Sequence, residues 1–151
     1  MGLMKNMSMI DISSKKDIYR QAVAVGRIRL RKETIEKILS GQVSKGDVIE
    51  TARLAGILAA KKTSELIPLT HQVPLTNISI EFSIGEDYIE ARSIVSAVYK
   101  TGVEIESLVS VAVALITIWD MIKEYEKDEY GQYPNIRIEE IRIEKKLKID
   151  K

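Results

Sequence analysis

Asp120 and Lys123 stand three residues apart in the run ALITIWDMIK, a spacing that puts both side chains on one face of a helix. Such pairs are commonly solvated surface ion pairs worth ~0.2–0.5 kcal/mol. These two, however, are the first charges after thirteen uncharged residues, Ser107 to Trp119. At least one is therefore expected at the edge of a core, where desolvation moves an aspartate or lysine pKa toward a range useful for proton transfer. Lys45 precedes Gly46 and Asp47 at the expected start of another helix. A helix start attracts anions, phosphate in particular, although a lysine there is ordinarily just solvated. His71, the only imidazole, lies between Pro68 and Pro74, which forbid a regular helix and leave an ordered loop. A lone histidine is often structural, and the chemistry it offers here is proton transfer or substrate contact. Glu106 lies fourteen residues before Asp120, within about 40° of the same helix face yet roughly 21 Å away along the axis. A single small-molecule pocket on one chain can hardly use both. The spacing calls for a long cleft or, preferably, a site assembled from two subunits.

The composition narrows the chemistry further. The chain has 151 residues, 23 Lys plus Arg against 22 Asp plus Glu, one His and no Cys. Without cysteine there is no disulfide, thiolate nucleophile or thiolate-bound zinc, and one histidine excludes a multi-histidine metal site within the chain. A net charge of +1 gives no large single-sign field, so small molecules or proteins are expected as partners in preference to nucleic acid or a membrane surface. No signal-like apolar run opens the sequence, and thirteen uncharged residues fall short of the ~20 that span a bilayer. A cytoplasmic protein is expected. No glycine-rich phosphate loop and no Ser-His-Asp elbow are present.

The elements that must position these residues follow from periodicity. Residues 1–10 are expected to be a flexible tail and 11–151 a single domain. Arg20–Leu30 alternates like a strand, with a bulge or close approach at Gly26. A short helix over Lys32–Ser40 stops at Gly41, and Asp47 caps a second helix running to about Lys62. Thr76–Ile84 and Tyr88–Tyr99 form a hairpin around Gly85-Glu86-Asp87. A mostly buried helix covers Val103–Lys127, and Asn135–Ile149 is a last strand whose apolar phase shifts at Glu139-Glu140, as a bulge would require. The order is that of an α+β, ferredoxin-like β-α-β-β-α-β domain, an antiparallel sheet with helices packed on one face. Function does not follow from that fold.

Five segments together are more specific: MIDIS (9–13), KGDV (45–48), ARLAGILAAKKTSELIPLTH (52–71), KTGVEIESL (100–108) and ALITIWDMIK (114–123). They resemble the MoaC family in order over Met9–Lys123, with a weaker match in the last strand. The resemblance implies a cyclic pyranopterin monophosphate synthase of molybdenum cofactor (molybdopterin) biosynthesis, a phosphorus–oxygen lyase. Such an enzyme converts (8S)-3′,8-cyclo-7,8-dihydroguanosine 5′-triphosphate to cyclic pyranopterin monophosphate and releases diphosphate, with no organic cofactor and no metal-ligating residues. It further implies Asp120, Lys123, Lys45 and His71 as catalytic residues, and Leu69, Thr70, His71, Ile105 and Glu106 as substrate-binding ones. Family members are homohexamers, trimers of dimers with sites at the dimer interface. Several proton transfers and a charged leaving group suit lysine, aspartate and histidine. The chain departs from the family pattern at Thr70, usually cysteine, and Gln72, usually proline. Its carboxy terminus, EKKLKIDK, also lacks the family's glycine- and lysine-rich tail, leaving Lys145, Lys146 or Lys148 to supply charge. Two rivals remain: a catalytically lapsed pterin- or nucleotide-binding relative, and a ferredoxin-like RNA-binding module. The latter needs aromatics on its central strands, and AVAVGRIRL has none.

Overall fold

The computed structural model describes Gly2 and residues 4–150. Of the expected tail, Met1 and Leu3 lie outside these residues, and positions 4–17 carry neither strand nor helix. Four antiparallel strands follow: β1 (Ile18–Arg29), β2 (Leu75–Ile84), β3 (Tyr88–Tyr99) and β4 (Arg137–Ile149), in the spatial order β2-β3-β1-β4. Helices α1 (Lys32–Leu39), α2 (Val48–Lys61) and α3 (Thr63–Leu66) join β1 to β2, and α4 (Glu104–Glu126) joins β3 to β4. This is the expected α+β ferredoxin-like topology. The one-turn α3 is an addition, opening the stretch read as a loop and ending before Pro68, whose ring disfavours helix in the residue preceding it.

Alternation in β1 sends Ala22, Ala24 and Ile28 toward the helices, where they are fully buried with Ile89 and Ala91 of β3 and Val111, Leu115 and Ile118 of α4. Gly26 belongs to the same row. A Cβ built there would lie 2.8 Å from Val111 Cγ1, 2.9 Å from Ile141 Cγ1 and 3.0 Å from Leu115 Cδ1, so glycine is what lets α4 settle on the sheet. β1 itself is unbroken against β3 through Gly26 and Ala91. The extra residue sits instead on β4, where Glu139 pairs with Arg27 and Arg142 with Val25, and Glu140 between them takes φ +57°. The phase shift thus marks a bulge on β4, and Gly26 a close approach.

α2 packs its small residues Ala52, Gly56, Ala59 and Ala60 inward, and its start is capped by Asp47, whose Oδ1 accepts from the Glu50 amide at 3.0 Å. α4 is apolar and long enough to cross a membrane, yet half of its most apolar window is buried in this domain. It is the core helix of the sheet. Its two ends emerge on opposite sides of the molecule, and each carries a group of chemically capable residues.

Candidate active site

At the carboxy-terminal end of α4, three charges meet. The Lys45 ammonium, on the loop between α1 and α2, donates to the Asp120 main-chain oxygen at 2.8 Å and lies 3.4 Å from Asp120 Oδ1. Lys123 Nζ is 3.6 Å from the same Oδ1, one helical turn along. Lys45 reaches this place because Val43 and Val48, buried on either side of its loop, hold the turn against the core. Gly46, at φ +116°, lets the chain reverse into α2. The side chains of Lys45, Asp120 and Lys123 remain 44%, 60% and 43% exposed. The expectation that one of them sits desolvated at the core edge is therefore not met within a single chain, because Trp119 and Met121 turn inward and leave Asp120 outward.

At the amino-terminal end, Leu69, Thr70, His71, Ile105 and Glu106 line one pocket of about 300 Å³ together with Lys15, Gly102 and Glu104. An adjoining pocket of about 180 Å³ shares His71 and Glu106 and adds Lys61. His71 Nε2 lies 2.7 Å from the Ile10 carbonyl oxygen. A carbonyl only accepts, so Nε2 carries the proton and Nδ1 is the nitrogen left for other work. Thr70 spends its hydroxyl on the Ile67 carbonyl at 2.8 Å, closing the turn that presents His71. Glu106 is 4% exposed. Burial pushes its carboxyl above the ordinary 4.5, against its own backbone amide, and the neighbouring Glu104 charge pushes the same way.

The sequence-predicted residues thus fall into two groups. Lys45, Asp120 and Lys123 form one, and Leu69, Thr70, His71, Ile105 and Glu106 the other. The fourteen residues between Glu106 and Asp120 keep the groups roughly 21 Å apart on one rigid helix. Sequence reasoning missed Lys15, Lys61 and Glu104. Lys61, in the last turn of α2, reads as an ordinary basic residue at a helix end. Lys15 lies ahead of any regular element, where no periodicity marks it. Of Lys145, Lys146 and Lys148, Lys146 pairs with a residue of this pocket, its Nζ lying 3.6 Å from Glu104 Oε1. Among the described residues no three or more His, Asp or Glu side chains converge as metal ligands would.

A ferredoxin-like domain that offers two ammonium groups around one carboxylate, and elsewhere a pocket with an imidazole and a desolvated carboxyl, carries the side chains that proton transfer on a small anionic molecule would need. The sequence pattern of the MoaC family matches residues 9–148, and the chain belongs to that family. It is 58% identical to a probable cyclic pyranopterin monophosphate synthase of Pyrococcus abyssi, over 95% of this chain and 91% of that one. A similarly named protein of Thermococcus kodakarensis is also 58% identical, over 95% and 92%. One from Sulfurisphaera tokodaii is 55% identical, over 96% of both chains.

Proposed function

We propose that this chain is a cyclic pyranopterin monophosphate synthase of molybdenum cofactor biosynthesis, a cytoplasmic phosphorus–oxygen lyase acting on (8S)-3′,8-cyclo-7,8-dihydroguanosine 5′-triphosphate. Its site is composite: the Lys45–Asp120–Lys123 cluster of one subunit faces the Leu69–His71 and Ile105–Glu106 pocket of another. The observation that carries this reading is the separation of the two groups by fourteen residues of one continuous helix. A nucleotide held in the pocket touches the cluster only if that cluster comes from a second copy. Exposed apolar side chains on the helices, Leu54 and Leu58 of α2 and Ile116 of α4, supply surface for such contact. The proposed assembly is a hexamer, a trimer of dimers with the sites at the dimer interface.

In that site the ammonium groups of Lys45 and Lys123 stabilise negative charge developing at the cyclising phosphate and the leaving diphosphate. Asp120, held between them, and His71, with Nδ1 free, exchange protons with the base as it opens and recloses. Covering the cluster with a second subunit removes water from groups that one chain leaves open, and so strengthens their electrostatics. The test is to incubate the purified protein with the cyclised triphosphate and measure diphosphate together with the pterin product. Formation of both supports the assignment. Tight binding without either product identifies a lapsed relative.

A further inference from the structure

Lys45 occupies an exposed turn, and a lysine on such a turn has many rotamers and a mobile backbone from which to miss its target. The last two turns of α4 remove that freedom. The Tyr125 hydroxyl accepts a hydrogen bond from the Ser44 amide at 2.9 Å, and the Ser44 hydroxyl donates to the Glu124 carboxylate. Hydrogen bonds from Ser44 and then Tyr125 hold the Glu124 carboxyl below its ordinary value, which keeps it an acceptor. The Tyr125 ring also carries the Lys37 ammonium of α1 at 5.1 Å from its centroid. One residue on, the buried Glu126 accepts from the Arg31 amide at 3.0 Å and from the Thr34 hydroxyl, capping the start of α1. The short α1 and the turn after it are thereby tied at both ends to the helix that bears Asp120 and Lys123.

We propose that Glu124 and Tyr125 are positioning residues for the reaction, docking the Ser44–Lys45 turn on α4 so that the Lys45 ammonium stays against Asp120. The proposal rests on the catalytic reading of Lys45 given above. Ser44 and Glu124 are exposed, so their hydrogen bond adds little to global stability, and its consequence is local order.

Tyr125→Phe removes the hydroxyl alone. The expected result is about a tenfold fall in kcat, the factor that one ordinary hydrogen bond represents, with KM within about twofold of wild type. Amide hydrogen exchange at Ser44 should rise about tenfold in the same variant while residues 108–122 keep their protection. Glu124→Ala should lower kcat in the same way, and Glu124→Gln, which still accepts from Ser44, should restore most of it. Unchanged exchange at Ser44 overturns the proposal, as does a loss of protection spread along α4, which would mark a merely structural role. If Lys45→Ala is inactive while Tyr125→Phe turns over at the wild-type rate, the docking idea falls and the reading of Lys45 stands. A wild-type protein that forms no product overturns both.

Discussion

Glu106 and Glu126 lie on one helix, about five and a half turns apart, and both are lost to solvent, at 4% and 1% exposure. Their surroundings differ. Glu126 accepts from the Arg31 amide and the Thr34 hydroxyl, with the Arg31 guanidinium 3.8 Å away, and so holds α1 in place. Glu106 has only its own backbone amide to set against desolvation, with a second carboxylate nearby, and it lines two adjoining pockets. Glu126 takes both hydrogen bonds and the guanidinium on Oε2 and leaves Oε1 buried without a partner, a cost borne to fix α1. Glu106, with no such donors, stands beside open space where a ligand can repay its desolvation. The same contrast separates the two ends of α4. Around Asp120 two ammonium groups share one carboxylate and stay wet; around Glu106 the walls are partly apolar and the polar groups line a cavity.

If the two ends belong to one composite site, damage at the exposed end should appear in turnover. Asp120→Ala is expected to lower kcat by about 10²–10⁴, the range of a lost acid–base group, and Lys123→Ala by a comparable factor. Oligomer size by light scattering should not change, since neither side chain is buried in the fold. Retention of kcat in both variants would leave the cluster an ordinary surface ion pair.

Mixing the two ends sharpens the comparison. Chains carrying Asp120→Ala and chains carrying Glu106→Ala should each be inactive alone. Random reassortment within a two-fold dimer creates one intact site in each heterodimer, so about a quarter of wild-type activity should return. Confirmed mixed oligomers with no recovery would mean that each site is built within one chain.

Much of this was readable from residue order, for identifiable reasons. Alternation in Thr76–Ile84 and in Tyr88–Tyr99 produces β2 and β3, because one face of each strand must be apolar to meet the helices. The broken phase at Glu139-Glu140 marks the β4 bulge. Gly26 is legible as something special, yet nothing local distinguishes a bulge on β1 from a bulge opposite it, because that difference is one of register between strands far apart in sequence. The Asp120–Lys123 pair is local at i, i+3, but the approach of Lys45 crosses 75 positions and comes from packing of Val43 and Val48. The expected helix start at Asp47 marked Lys45 as a candidate anion contact and the family resemblance as a catalytic one, but neither placed it against Asp120. Docking by Ser44, Glu124 and Tyr125 left no signal at all, since three polar residues at a surface turn and a helix end are unremarkable until the chain folds.

Gly26 tests whether α4 acts as one rigid ruler between the two ends. Gly26→Ala places a Cβ within 3.0 Å of Val111 and Leu115, in the middle of the helix. Overpacking of this kind costs about 1–3 kcal/mol, expected as a Tm lower by about 2–12 °C for a domain of this size. Because the helix must lift from the sheet, both ends shift with it, and kcat and KM should change together. A variant that loses stability while keeping both kinetic constants would mean that the ends are held independently of α4.

The smallest effect is the most diagnostic of the under-satisfied end. Below the ordinary value of 4.5, Glu106 is neutral in the folded and unfolded chains alike and costs nothing. As pH rises past 4.5 the unfolded chain ionises first while burial delays ionisation in the folded one. Stability present at low pH is therefore lost as pH climbs through the raised folded value. Glu106→Gln removes that penalty. The variant should melt above wild type at pH 7.5, and the gap should close as pH falls toward 4.5. The hydrogen-bonded Glu126 predicts the opposite sign: Glu126→Leu leaves the Arg31 amide and the Thr34 hydroxyl without the oxygen to which both donate, and should lower the Tm at pH 7.5. If the two substitutions move stability in the same direction, the distinction between a carboxylate serving the fold and one reserved for a ligand fails.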